Sequence, residues 1–272
     1  LGVFFVVPTA FLVSQSLQTG TVEEGYSATW NYENYLYALA HFSTQFTRSL
    51  LYATLTTIFT FIIGYPLAYA IAIKASRLKY LLLVLVIAPF LSNFLLRTLA
   101  WQTILSSDGL VTELFRSTHL ITVTSWLGLT NGDQLLNSPL AVIAGLTYNF
   151  LPFMTLPLFA SLDKLDPKLL EAAADLYAEP SVTFRRVTLP LSAPGIAAGA
   201  VLTFIPAAGD FINSQLLGNP NTVMLGQVID SQFLRVLDYP IAAALSVALM
   251  VTVAVLVVAY LRVPGVQAET DV

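Results

Sequence analysis

The sequence predicts an all-α, polytopic membrane protein with about six transmembrane helices. Three observations carry this reading. Of the 272 residues, 56% are hydrophobic. Only 10% are charged, where a soluble domain carries about a quarter, so lipid is the expected solvent for most of the surface. Residues 49–73, 138–162 and 239–261 contain no Asp, Glu, Lys or Arg, and each run exceeds the roughly 20 residues that a helix needs to cross the hydrocarbon.

Three further runs complete the set. Residues 1–17 and 80–105 qualify, the second with Arg97 toward one end, and residues 194–217 qualify with Asp210 inside. The sequence begins at Leu1, and a basic stretch is expected to precede it. Orientation follows from lysine and arginine placement. Lys74, Arg77, Lys79, Lys164, Lys168, Arg185, Arg186 and Arg262 fall on one side, whereas only Arg48, Arg97, Arg116 and Arg235 fall toward the other. That bias puts both termini in the cytoplasm of a cell with an inner membrane. Residues 18–47, 106–137 and 218–238 are then extracytoplasmic loops, with a short interfacial helix expected near 110–117. Pro8, Pro66, Pro89, Pro152, Pro157 and Pro206 lie within spans, where neighbouring helices can satisfy the carbonyls that they free.

Several function classes lose support. Without cysteine there is neither a disulfide framework nor a thiolate metal site, and His41 and His119 stand far apart in the sequence. A net charge of −4 with no basic cluster gives nucleic acid no footprint. No Ser/His/Asp arrangement, metal pair or Gly-rich phosphate loop suggests chemistry, so any ATP must be handled by another chain.

The most informative stretch joins the fourth and fifth spans, residues 163–194. Asp166-Pro167 is a helix start: the carboxylate accepts from free N–H groups, and proline suits the first helical position. Residues 168–178 follow with Leu169, Leu170, Ala173 and Leu176 as an apolar stripe, and with Glu171 and Asp175 as an acidic pair four apart. Pro180 opens a second short helix carrying Phe184, Arg185, Arg186 and Val187, and Pro190 and Pro194 lead back into the membrane. An ordered cytoplasmic hairpin is predicted.

This hairpin resembles the EAA motif of membrane subunits of binding-protein-dependent ABC importers. Glu171-Ala172-Ala173 begins the match, Ala178 fills the later alanine position, and Val187, Leu189 and Pro190 complete it. Tyr177 departs from the pattern, standing where the family usually has glycine. If that position is left-handed, a non-glycine residue costs about 1–2 kcal/mol. Likeness to spermidine/putrescine permeases, the PotB type above all, extends through Ala207-Ala208-Gly209-Asp210-Phe211, Leu216-Leu217-Gly218, Pro220, Met224 and Gly226. It also covers Leu151-Pro152-Phe153-Met154, Pro157-Leu158, Pro89-Phe90 and residues 95–101. The resemblance implies a type I ABC importer permease architecture: one transmembrane permease domain, residues 1–272, with a cytoplasmic coupling hairpin at 163–194. It implies a second homologous permease subunit, a dimer of cytoplasmic ATP-binding subunits that hold ATP and Mg, and an extracytoplasmic solute-binding protein. Glu171, Ala172, Ala173, Asp175, Tyr177, Ala178, Val187, Leu189 and Pro190 would then form the contact with the ATPase, and this chain would bind no cofactor.

For the cargo pathway the candidates are Asp210, Asn93, Trp101, Tyr148 and Asn149. An intramembrane carboxylate facing lipid costs on the order of 3 kcal/mol, so Asp210 should face protein or water. Helical spacing places Gly195, Gly199, Thr203, Pro206 and Asp210 on one face, whose glycines permit close approach of another helix. A locally capped or arginine-paired Asp210 stays open beside a role in cation passage. Buried asparagines also serve helix packing, and Trp101 also suits an interfacial anchor. The acidic excess of the extracytoplasmic loops favours a polyamine. Sugar, oxyanion or iron as cargo, and an independent secondary transporter, are the alternatives.

Overall fold

The computed structural model describes residues 2–75 and 77–262. Leu1 of the first expected span and residues 263–272 of the expected cytoplasmic terminus lie outside the described residues. Helix dominates, as predicted. In chain order the elements are α1 Gly2–Ser16, β1 Gln18–Thr21, β2 Gly25–Ala28, α2 Glu33–Tyr69, α3 Lys79–Ile87, α4 Phe94–Ile104, α5 Leu110–Ser117 and α6 Leu120–Trp126. Then come α7 Pro139–Asp163, α8 Pro167–Asp175, α9 Pro180–Thr183, α10 Leu189–Leu191, α11 Ala193–Ala208, α12 Ile212–Leu217, α13 Leu225–Ser231 and α14 Tyr239–Leu261.

Among the described residues three helical stretches are long and apolar enough to cross a membrane: Glu33–Lys74, Pro139–Asp163 and Tyr239–Leu261. They contain the three charge-free runs, apart from Ser138 at the start of the second. Of the other expected spans, the first is a single helix of 15 residues, Gly2–Ser16, and two are interrupted. Residues 80–105 break into Lys79–Leu91 and Phe94–Ile104, bent by 91°. Pro89 sits in the 3-10 turn before the break, and its carbonyl accepts from Ser92 Oγ (2.6 Å) and from Arg97 Nη1 (2.7 Å). Asn93 starts the new helix by accepting from the Leu95 N–H at 2.8 Å. Hydropathy counts apolar residues and is blind to such a turn.

The expected span 194–217 also divides, α11 stopping at Ala208 and α12 beginning at Ile212. Asp210 therefore leaves the helical face predicted for it with Gly195, Gly199, Thr203 and Pro206. The expected loop 18–47 is more ordered than predicted. Its first part is an antiparallel hairpin, Gln18 opposite Ala28 and Thr21 opposite Gly25, and its remainder is the beginning of α2, kinked at Phe42. The short helix near 110–117 is present and is followed by a second, α6.

The chain forms two compact units, the first from Leu1–Tyr52, Thr98–Val142 and Ala208–Leu256, the second from Ala53–Arg97, Ile143–Ala207 and Val257–Val272. In the first, Asn34 fastens the hairpin, donating through Nδ2 to the carbonyls of Ser16 and Gln18 at 2.9 Å each. Tyr26 OH donates to the Leu237 carbonyl at 2.6 Å. In the second, Tyr65 and Ala68 of α2 and Met154, Leu158 and Leu162 of α7 make the buried cluster. A Cβ on Gly195 would lie 2.8 Å from the Pro157 carbonyl, and one on Gly199 would lie 2.7 Å from Met154 Sδ. The small-residue pair thus permits close approach, as predicted, and the partner is α7. Lys79 and Asp163 form an ion pair that ties the start of α3 to the end of α7.

Candidate functional site

The hairpin after α7 is built from local signals. Asp166 caps α8 by accepting from the Lys168 N–H at 3.0 Å, and Pro167 occupies the first turn. The helix then stops in a Schellman turn. Ala178 N–H donates to the Ala173 carbonyl at 3.0 Å and Tyr177 N–H to the Ala174 carbonyl at 2.9 Å. Tyr177 stands at the left-handed position with φ 55°. The conformation usually reserved for glycine is therefore carried by a tyrosine, at the cost named above. Packing does not compensate that cost within the chain, because the side chain is 96% exposed.

Glu171, Ala172 and Asp175 are exposed along α8, and Ala173 and Ala178 are half-buried. The apolar stripe does not all turn inward: Leu170 and Ala173 do so partly, while Leu169 is half-exposed and Leu176 is 82% exposed. Leu176 and Tyr177 thus form an uncovered apolar tip beside the acidic Glu171. The returning arm is more regular than one short helix. After α9, residues Phe184–Thr188 form a π turn that runs on into α10, with Val187 and Leu189 half-buried and Pro190 exposed.

This arm is rooted in the second unit's core. The Phe184 ring meets Tyr65 and Tyr69 edge-on, with centroids 5.5 and 6.1 Å away. Leu165, Leu189 and Ile196 pack on the same cluster. The Tyr65 hydroxyl and Ser192 Oγ are hydrogen-bonded at 2.8 Å in a buried site. Sequence reasoning did not single out Tyr65, Phe184 and Ser192 for this root. The signal was a hydroxyl set between Pro190 and Pro194, together with tyrosines inside the apolar run 49–73.

The pathway candidates divide between the units. In the second, Asn93 is exposed and caps α4, Asn149 is buried, and Tyr148 lines a cleft with Arg97. In the first lie Trp101, half-buried, and Asp210, 7% exposed. The Asp210 carboxylate is held locally, accepting from the Asn213 backbone N–H at 2.8 Å and from Asn213 Nδ2 at 3.1 Å. Such a side-chain bond competes with helix continuation, which accounts for the break.

Residues 209–226 fold back as a tight polar knot. The Ser214 hydroxyl lies 2.7 Å from Gln227 Oε1 and accepts from the Met224 N–H at 3.1 Å. Arg48 Nη1 donates to the Val223 carbonyl at 2.9 Å, and the Leu225 N–H donates to Ser49 Oγ at 2.7 Å. Gly226 lies so near the Gly209 and Asp210 carbonyls that a Cβ there would collide with both. Ser49 and Gln227 were not singled out in the sequence, and Arg48 was named only for orientation. Polar side chains bordering apolar runs were the available clue.

Residues 37–263 match the family described as binding-protein-dependent transport system inner membrane component. The chain is 35% identical over 264 residues to the spermidine/putrescine transport system permease protein PotB of Escherichia coli, covering 96% of this chain and 93% of that protein. It is 36% identical over 211 residues to the inner membrane ABC transporter permease protein YdcU of the same organism, covering 76% and 67%. The fold is similar to that of a bacterial ABC transporter involved in the import of the acidic polysaccharide alginate, with a TM-score of 0.70 at 20% identity, covering 95% of this chain and 88% of that one. The family match spans most of the chain and includes both the hairpin and the Asp210 segment. The chain belongs to the inner membrane components of binding-protein-dependent ABC transport systems.

Proposed function

We propose that this chain is the non-catalytic membrane subunit of an ATP-driven importer that carries polyamines, spermidine or putrescine, into the cytoplasm. The observation that carries the coupling role is the hairpin: an exposed face of Glu171, Leu176 and Tyr177 on a stem rooted by Phe184 and Leu189. Nine residues of α8 make a rod about 14 Å long. A push on it passes through Phe184 to α2, and through the close contacts of Gly195 and Gly199 to α7. The cargo reading rests on the PotB likeness over nearly the whole chain.

In this reading residues 1–272 are one permease domain with both termini in the cytoplasm, and residues 163–194 reach the ATPase. The partners are a second permease subunit, two ATP-binding subunits that hold ATP and Mg, and an extracytoplasmic binding protein. Glu171, Ala172, Ala173, Asp175, Tyr177, Ala178, Val187, Leu189 and Pro190 serve the coupling contact. Asp210 supplies the carboxylate nearest a cationic cargo, with Asn93, Trp101, Tyr148 and Asn149 as further pathway residues.

The test is purification of the native complex followed by ATPase assays with its binding protein. A stoichiometric ATPase subunit and stimulation by spermidine or putrescine are expected. Stimulation by a sugar or an oxyanion instead would remove the polyamine assignment, and transport by this chain without any ATPase would remove the importer reading.

A further inference from the structure

The second unit contains a cleft of about 270 Å³ among α2, α3, α4 and α7, lined by Ile71, Leu82, Leu85, Arg97, Tyr148 and Pro152 among others. Arg97 is its one charged lining residue. The side chain is only 9% exposed. Its Nη1 donates to the Pro89 carbonyl at 2.7 Å, and its guanidinium carbon lies 5.4 and 5.7 Å from the ring centroids of Phe90 and Phe94. Nε is buried and has no hydrogen-bond partner. Among the described residues the ion pair found is Lys79 with Asp163, so no carboxylate neutralises Arg97. A buried guanidinium with an idle donor and no counter-charge is strongly unfavourable unless an anion meets it.

We propose that this cleft binds one anionic phospholipid, with the phosphate on Arg97 and an acyl chain along Leu82 and Leu85 of α3. The lining dictates both halves of the ligand. A guanidinium matches a phosphate oxygen pair in shape and charge, and basic pockets between membrane helices suit anionic headgroups. The remaining wall is almost wholly apolar. Leu81, Val84 and Leu85 are more than half exposed along α3, which gives a chain an apolar track beside the cleft. A polycationic cargo is repelled by Arg97, so the cleft does not hold the cargo itself, although Tyr148 stands in its wall, and the proposal stands independently of the polyamine assignment.

The lipid would set the angle between the two arms of the broken span, because Arg97 already holds the Pro89 carbonyl across the bend. Transport should then depend on anionic lipid. The experiment compares the native complex with Arg97→Gln and Leu85→Trp variants, the latter filling the cleft while keeping the charge. Bound lipid is quantified by mass spectrometry after purification, and ATPase-coupled uptake is measured in phosphatidylcholine bilayers with and without phosphatidylglycerol. Wild type should retain phosphatidylglycerol or cardiolipin and need it for uptake, and both variants should lose the retained lipid. Inorganic phosphate added to phosphatidylcholine bilayers should not substitute. Equal lipid retention by wild type and Leu85→Trp would overturn the proposal, as would full rescue by inorganic phosphate. If Arg97→Gln keeps the lipid but sheds its partner permease, the charge belongs to a subunit contact and the proposal fails. If Arg97→Gln does not assemble, Leu85→Trp decides.

Discussion

The hairpin at 163–194 and the knot at 209–226 are both departures from plain membrane helices, and they are held in opposite ways. In the hairpin, the local Asp166 cap and a Schellman turn set the shape, and side chains such as Glu171, Leu176 and Tyr177 are left outside. In the knot, side chains set the shape: the buried Asp210, Ser214 and Ser49 and the half-buried Arg48 each hold a backbone group. A surface meant to meet another protein can keep its side chains free only if its backbone is self-sufficient. A buried irregular segment must satisfy every polar group from within. Substitutions should therefore damage assembly in the knot and coupling in the hairpin.

The largest effect is expected at Gly226. A Gly226→Ala change drives a methyl group into the Gly209 and Asp210 carbonyls, and overpacking against backbone costs about 1–3 kcal/mol. Thermal unfolding of the purified complex should begin at clearly lower temperature. An unchanged profile would show that the knot is looser than described. Next comes Ser214→Ala, which strands the buried Met224 N–H at a cost of about 1–3 kcal/mol. Detergent stability should fall with it, and normal stability would mean that another group takes over the bond.

Asp210→Asn separates shape from charge. The asparagine oxygen still accepts from the Asn213 N–H, so assembly should survive while polyamine uptake falls. Normal uptake would make Asp210 a cap and nothing more, and failed assembly would make it a structural residue. The smallest stability change is expected at Tyr177. Tyr177→Gly relieves the left-handed strain by about 1 kcal/mol and leaves the fold intact, yet it removes the ring from the exposed tip. Stability should rise slightly while coupling weakens. Equal coupling in Tyr177→Gly and wild type would show that the ring makes no contact.

Much of the hairpin was legible in sequence because its signals are local. Asp166-Pro167 starts a helix anywhere, and a tyrosine in a glycine position marked the turn whose left-handed conformation the structure supplies. The knot was not legible, since Gly209-Asp210-Phe211 interrupts an otherwise apolar run and the bonds that hold it come from α2, more than 150 residues earlier. The 91° bend escaped for a related reason: a run of apolar residues reports an environment and gives no direction. Orientation across the membrane rests on loop charge, which cysteine labelling at positions 77 and 133 tests from either side. Position 133 should react from outside intact cells and position 77 should not.

The central claim is that α8 transmits the work of an ATPase, and Glu171 tests it most directly. Glu171 is exposed and no described contact in the chain depends on it, so Glu171→Arg should leave expression and thermal stability of this subunit unchanged. Measured in reconstituted vesicles with the full complex, uptake driven by ATP should be lost, through either dissociation of the ATPase or ATP hydrolysis without transport. Wild-type uptake by Glu171→Arg would contradict the claim.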